Sequence, residues 1–177
     1  MVPGFQQAAV FVERVRHPEP GRSVVPPVAV PRARASRDTA DHRANQASLS
    51  GATGALSQAL AAPAVNRNWR ATVSTQLHAL RMAFDEHIVL TEGSDGLYAE
   101  LVGVAPRLAR TVQRLARDHT ALAAHMALFQ SILDSREFNI DQLRECGAEL
   151  VRELKLHWQH GADLIYEAYA TDLGGET

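Results

Sequence analysis

Cysteine occurs once in this chain of 177 residues, at Cys146. That excludes a disulfide within the chain and any thiolate zinc cluster, and it fits a reducing compartment. Lysine also occurs once, at Lys155, so arginine supplies nearly all of the 18 basic residues, and alanine is abundant. Such usage resembles that of a GC-rich bacterium. Neither sign of charge dominates: the formal net charge is −2 and the pI is near 6.4, which gives no electrostatic footprint for nucleic acid or an anionic membrane. No apolar run approaches the ~20 residues that a membrane span needs, and the N-terminus lacks the basic start, apolar stretch and cleavage site of a signal peptide. The expectation is a cytoplasmic protein with no nucleic-acid or membrane partner. Nucleophile–base pairs, Gly-rich phosphate loops and basic patches are missing as well, so the common hydrolase and nucleotide-binding chemistries have no foothold.

The chain divides near residue 35. Before that point stand Pro3, Pro18, Pro20, Pro26, Pro27 and Pro31, with Arg14, Arg16, Arg22, Arg32 and Arg34 among them. Each proline removes a hydrogen-bond donor and pushes its predecessor out of the helical region, so residues 1–35 read as a disordered tail. Residues 36–172 read as one all-α domain, an up-down-up-down four-helix bundle, and 173–177 as a C-terminal end.

Four amphipathic stretches carry that reading. The first runs from about Ser36, a candidate cap, to Leu60, with His42, Leu49, Thr53, Leu56 and Leu60 on one stripe. The second runs from about Trp69 to Thr91, capped by Asn66 or Asn68 and closed by Gly93, and aligns Trp69, Val73, Leu77, Leu80, Phe84, His87 and Thr91. The third carries Leu101, Leu108, Leu115, Leu122, Val112, His119, Met126 and Leu133, starts near Asp95 and kinks at Pro106. The fourth opens with Asn139 and Gln142 in capping-box spacing, carries Leu143, Leu150, Leu154, His157, Leu164 and Ala168, and stops at Gly174 and Gly175.

Each apolar stripe holds one histidine. His42 lies 18 residues before Leu60, His87 19 after Asn68, His119 15 before Asp134, and His157 18 after Asn139. At about 1.5 Å per residue, all four fall roughly 22 to 28 Å from the same end of the bundle. His78 points about 180° from His87, and His125 about 120° from His119, so inward placement is not automatic. A single buried histidine is usually a hydrogen-bonded core residue. Four in one layer would leave several polar rings competing for partners in one small volume, whereas neutral imidazoles on facing helices suit iron, zinc, copper or nickel.

The acid–His pairs Asp41-His42, Glu86-His87 and Asp118-His119, the run from His87 to Glu92, Gly93 and Tyr98, and His157 on the last helix resemble the hemerythrin-like, HHE cation-binding family. The resemblance spans about residues 36 to 172. It implies a four-helix bundle around a carboxylate-bridged di-iron centre used for dioxygen binding, sensing, or iron and oxidative-stress handling. Three positions depart from that pattern. Thr91 stands four after His87, with Glu92 one step further and about 140° from it. Ala123 stands four after His119, and Gly161 and Ala162 come after His157 where the family has an acid.

Candidate metal ligands are therefore His42, His87, His119 and His157, with Asp38, one turn before His42, and Glu92, at the end of its helix, as carboxylates. Asp38 serves equally as a first-turn residue favoured by the helix dipole. Asp163 and Glu167 read as surface residues. Asp41, Glu86 and Asp118 each lie about 100° from the adjacent histidine, so any imidazole they orient belongs to a neighbouring helix. The resulting expectation is non-haem iron, one or two ions, with zinc as the other candidate metal and O2 or another small diatomic as ligand, in oxygen or redox sensing or iron handling. Two other readings stay open: a metal-dependent oxidase or peroxidase-like enzyme, and a metal-free four-helix interaction module.

Overall fold

The computed structural model describes residues 32–137 and 139–170, with side chains from residue 40 to 169 apart from 138. Of the tail expected over residues 1–35, residues 1–31 lie outside the described residues and 32–35 are helical instead; the C-terminal end expected over 173–177, with Gly174 and Gly175, also lies outside them, as do residues 171 and 172. Helices α1 (Arg32–Ala61), α2 (Trp69–Glu92), α4 (Ala109–Asp134) and α5 (Ile140–Ala170) are long, and α3 (Leu97–Val104) is short. The long helices pack as a ring, α1 on α2, α2 on α4, α4 on α5 and α5 on α1. This is the four-helix bundle that the apolar periodicity predicts. Among the described residues there is no strand, and no helix is long and apolar enough to cross a membrane.

Two boundaries differ from the sequence reading. Helix α1 begins at Arg32, so Ser36 sits inside the helix and not at its start. The expected third helix is not merely kinked but broken. Pro106 lacks an N–H and holds Ala105 at φ −133° and ψ 80°, and a 3-10 turn (Pro106–Leu108) then leads into α4. At the start of α5, the Asn139 carboxamide oxygen accepts the backbone N–H groups of Asp141 (2.8 Å) and Gln142 (3.3 Å), as its capping position predicts.

The break matters because it builds a second apolar cluster. Leu49, Leu56, Val73, Leu77, Leu80, Phe84, Leu122, Met126, Phe129, Leu150 and Leu154 fill the main core. Tyr98, Leu101, Leu108, Leu115, Leu164 and Ala168 make a smaller cluster. Along α4 and α5, His119 and His157 fall between the residues of the two clusters, so the imidazole layer has apolar packing above and below it.

The other end is tied by a residue that periodicity does not reveal. Arg144 of α5 donates from Nε to the Leu60 carbonyl and from Nη2 to the Ala62 carbonyl, both at 3.0 Å. These are carbonyls that the end of α1 would otherwise leave unpaired. The same guanidinium lies 5.8 Å from the centroid of the Trp69 ring, whose Nε1–H donates to Ala59 O at 2.8 Å. Arg144→Leu should therefore lower stability by about 1–3 kcal/mol, the range for charge-assisted hydrogen bonds. Urea unfolding of parent and variant measures it, and a difference below about 0.5 kcal/mol, the scatter of ordinary surface changes, would refute this role.

Candidate metal centre

Helix α2 supplies His87, α4 supplies His119 and α5 supplies His157, and one ligand nitrogen from each lies within 4.8 Å of the other two. Nε2 of His119 is 3.0 Å from Nε2 of His157, which is 3.5 Å from Nε2 of His87. Three nitrogens each about 2.0–2.1 Å from one ion stand roughly 3.0–3.4 Å apart in octahedral or tetrahedral arrangement. The 3.0 Å separation falls in that range and the 3.5 Å one lies just beyond it. Edge-to-face ring contacts hold the arrangement, with centroids 5.0 Å apart for His87 and His119 and 4.6 Å for His119 and His157. Phe84 meets the His119 ring edge-on at 5.6 Å.

The outer nitrogens show which way the inner ones face. Glu92 Oε1 lies 2.5 Å from His119 Nδ1. A carboxylate only accepts, so Nδ1 carries a proton, and in the neutral tautomer this leaves the lone pair at Nε2. His157 Nδ1 is buried without a hydrogen-bond partner, and the nearest acid is Asp118 Oδ2 at 4.0 Å. A proton on that Nδ1 would face Asp118 and leave Nε2 as a lone pair. The two Nε2 atoms, 3.0 Å apart, are spaced for an N–H···N hydrogen bond when one of them carries the proton and for a shared cation when neither does.

Burial keeps the rings ready for that role. Desolvation, followed by the charges of His119 and His42, lowers the His87 pKa from 6.5 to about 4. Desolvation, followed by His119, His87 and His160, lowers that of His157 to about 3. Both are neutral at pH 7. Tyr98 completes the surroundings, its ring parallel to His119 and its hydroxyl 3.5 Å from His119 Nε2. Burial, then Glu92 and Asp118, pushes its pKa upward and keeps it a phenol.

The candidate residues therefore separate by position. His87, His119 and His157 come together. His42 is half-buried on α1 and lines a cavity beside His87 and His157, outside the three-nitrogen cluster. Glu92 swings inward at the end of α2 but meets the outer nitrogen of His119. The Asp38 side chain lies outside the described residues. Of the three acids flanking histidines, Asp118 stands near His157 of the neighbouring helix, whereas Glu86 instead accepts from Asn45 Nδ2 at 3.2 Å. His78 is exposed. His125 is engaged elsewhere, with Nδ1 2.7 Å from Glu153 Oε2 and Nε2 3.4 Å from Cys146 Sγ. That contact was readable only in part: Cys146 and Glu153 share a face of α5 at seven-residue spacing, but nothing in the sequence aligns them with His125.

Compared with known proteins, this chain matches no family model, no curated protein and no solved structure.

The depressed pKa values fix an acid sensitivity and its sign. In the unfolded chain these rings protonate near pH 6.5, but in the metal-free fold His87 resists until about 4 and His157 until about 3. Between those limits the unfolded state binds more protons, so stability falls as pH falls, by about 1.4 kcal/mol per pH unit for each ring. Above pH 6.5 neither ring contributes a slope. Melts of chelator-treated protein from pH 7.5 to 4 should show the loss, and His157→Leu should flatten it. An unchanged acid slope in that variant would contradict the assignment.

Proposed function

We propose that this protein is a hemerythrin-like metal-binding bundle holding non-haem iron between His87, His119 and His157, in oxygen or redox sensing or iron handling. The observation that carries the metal is the convergence of three imidazole nitrogens at 3.0 and 3.5 Å, with carboxylates standing behind two of the rings. Iron and dioxygen come from the resemblance, and the all-nitrogen set suits zinc too. Bound there, iron supplies a Lewis acid and a one-electron redox couple with open coordination positions. The chain's own residues do the rest. Glu92 accepts from His119 Nδ1, Asp118 stands 4.0 Å from His157 Nδ1, and the two apolar clusters pack on either side of the His119 and His157 layer. The three histidines favour one ion. With Glu92 on an outer nitrogen and Gly161 and Ala162 after His157, no carboxylate among the described residues is placed to bridge a second.

Metal analysis of protein purified without chelator or affinity tag identifies the ion. If the folded state alone holds it, metal stabilises the fold by about 2.7 kcal/mol at a free concentration 100 times Kd. At this chain length that raises Tm by roughly 2–4 °C per kcal/mol. His119→Leu should lose metal while leaving the chelated bundle as stable as the parent or more so, because Leu115, Leu122 and Met126 surround the position. His125→Ala should keep its metal. Identical melts of the parent with and without chelator, alongside a destabilised His119→Leu, would exclude the proposal.

Glu92→Leu tests the outer carboxylate separately. Losing the acceptor behind a ligand histidine typically costs 10–100-fold in metal affinity, measured by competition with a chromophoric chelator. Parent-like affinity in this variant would remove Glu92 from the site.

A further inference from the structure

A cavity of about 280 Å³ adjoins the inner face of the histidine cluster, between α1, α2, α3 and α5. An enclosed cavity of about 150 Å³ accommodates benzene, so the space exceeds what a diatomic molecule needs and suits a single substituted ring. His87, His157 and Tyr98 line it. Leu49, Leu101, Leu164 and Trp158 make most of its wall apolar, with His42, Gln46 and Thr91 as the polar remainder. Ala162 and Ile165, which are exposed, form part of its rim and mark a way in.

The space exists because the residues one turn beyond His157 are small. Gly161, one turn beyond His157, lines the cavity, and a Cβ built there meets nothing within 4 Å, the His157 ring included. Ala162 beside it fills little. The chain thus leaves open volume next to the point where the three nitrogens meet.

Charge selects the head group. A divalent ion held by three neutral imidazoles receives no negative ligand from the described residues, because Glu92 and Asp118 lie behind the rings. An anion in the open position neutralises it directly, and the Tyr98 hydroxyl is placed to donate to that anion. We propose that the site takes a small organic carboxylate, its acid on the metal and its apolar body, about one ring in size, in the cavity over Gly161. This rests on the metal centre proposed for the three histidines.

The test uses the full chain loaded with Co(II), whose visible spectrum reports both its binding and any change of ligand. Formate, 3-phenylpropionate and 3-phenylpropanamide are then titrated in turn. We expect 3-phenylpropionate to perturb the spectrum with a Kd more than tenfold below that of formate, and the amide to leave it unchanged. Gly161→Leu fills the cavity without touching a ligand, and leucine favours a helix more than glycine does. It should bind cobalt as the parent does and lose the preference, the two acids falling within threefold of each other. Tyr98→Phe should weaken both acids several-fold with cobalt affinity kept.

Equal affinities for formate and 3-phenylpropionate in the parent would overturn the proposal while leaving the metal reading intact. So would binding of the amide as tight as the acid, or a preference that survives in Gly161→Leu. Failure of the parent to bind cobalt would overturn both readings at once, and the spectrum shows that before any acid is added.

Discussion

Two imidazole nitrogens 3.0 Å apart, with a third 3.5 Å from one of them, form the constraint around which the middle of this bundle is organised. Rings packed among leucine and phenylalanine give up their hydration, and the charged form gives up most. His87 and His157 are therefore held neutral, and a neutral imidazole has one donor and one acceptor to place. His119 places its donor outward on Glu92, which commits its acceptor to the centre. The His157 ring, with Asp118 at 4.0 Å, tends the same way. The fold thus gathers one ligand nitrogen from each of three helices with a carboxylate behind two of the rings, and that convergence is the chemical argument for a cation.

The surrounding architecture serves this layer. The main apolar core lies on one side and the smaller cluster around Tyr98, Leu101 and Leu164 on the other. The second cluster depends on the break at Ala105 and Pro106, which frees α3 to fold over the end of α2 and α5. A continuous third helix would carry Tyr98 along the α4 axis. The interruption instead brings its ring parallel to His119 with centroids 5.8 Å apart. The turn after Glu92 contributes as well. Gly93 and Gly96 pass so close to the end of α2 that a Cβ at either would lie 2.7 Å from a backbone carbonyl oxygen, and this tight reversal leaves Glu92 at the helix terminus, beside His119.

Much of this was legible in the chain itself. The stripes that place His119 and His157 among leucines are the ones the structure buries, and His78 faces outward as its phase requires. The depth of the histidine layer followed from counting residues along helices of fixed rise. Phase and depth, however, do not determine reach. His42 shares the stripe of α1 yet stands at the cavity, beside the cluster rather than in it. Glu92 has a helical phase about 140° from His87, and only the close of α2 brings it to a different histidine.

Sequence by itself determined the helices, their buried faces and the level at which the histidines stand, because these follow from hydrophobic periodicity and a constant rise per residue. Tertiary structure alone decided which nitrogen of each ring faces its neighbours, which carboxylate stands behind which imidazole, and that the small residues after His157 open a cavity. Those outcomes depend on how helices are rotated and spaced against one another to within about an ångström. That adjustment is made by packing between distant segments, Arg144 gripping the end of α1 and α3 folding across from Pro106, and local periodicity carries no record of it.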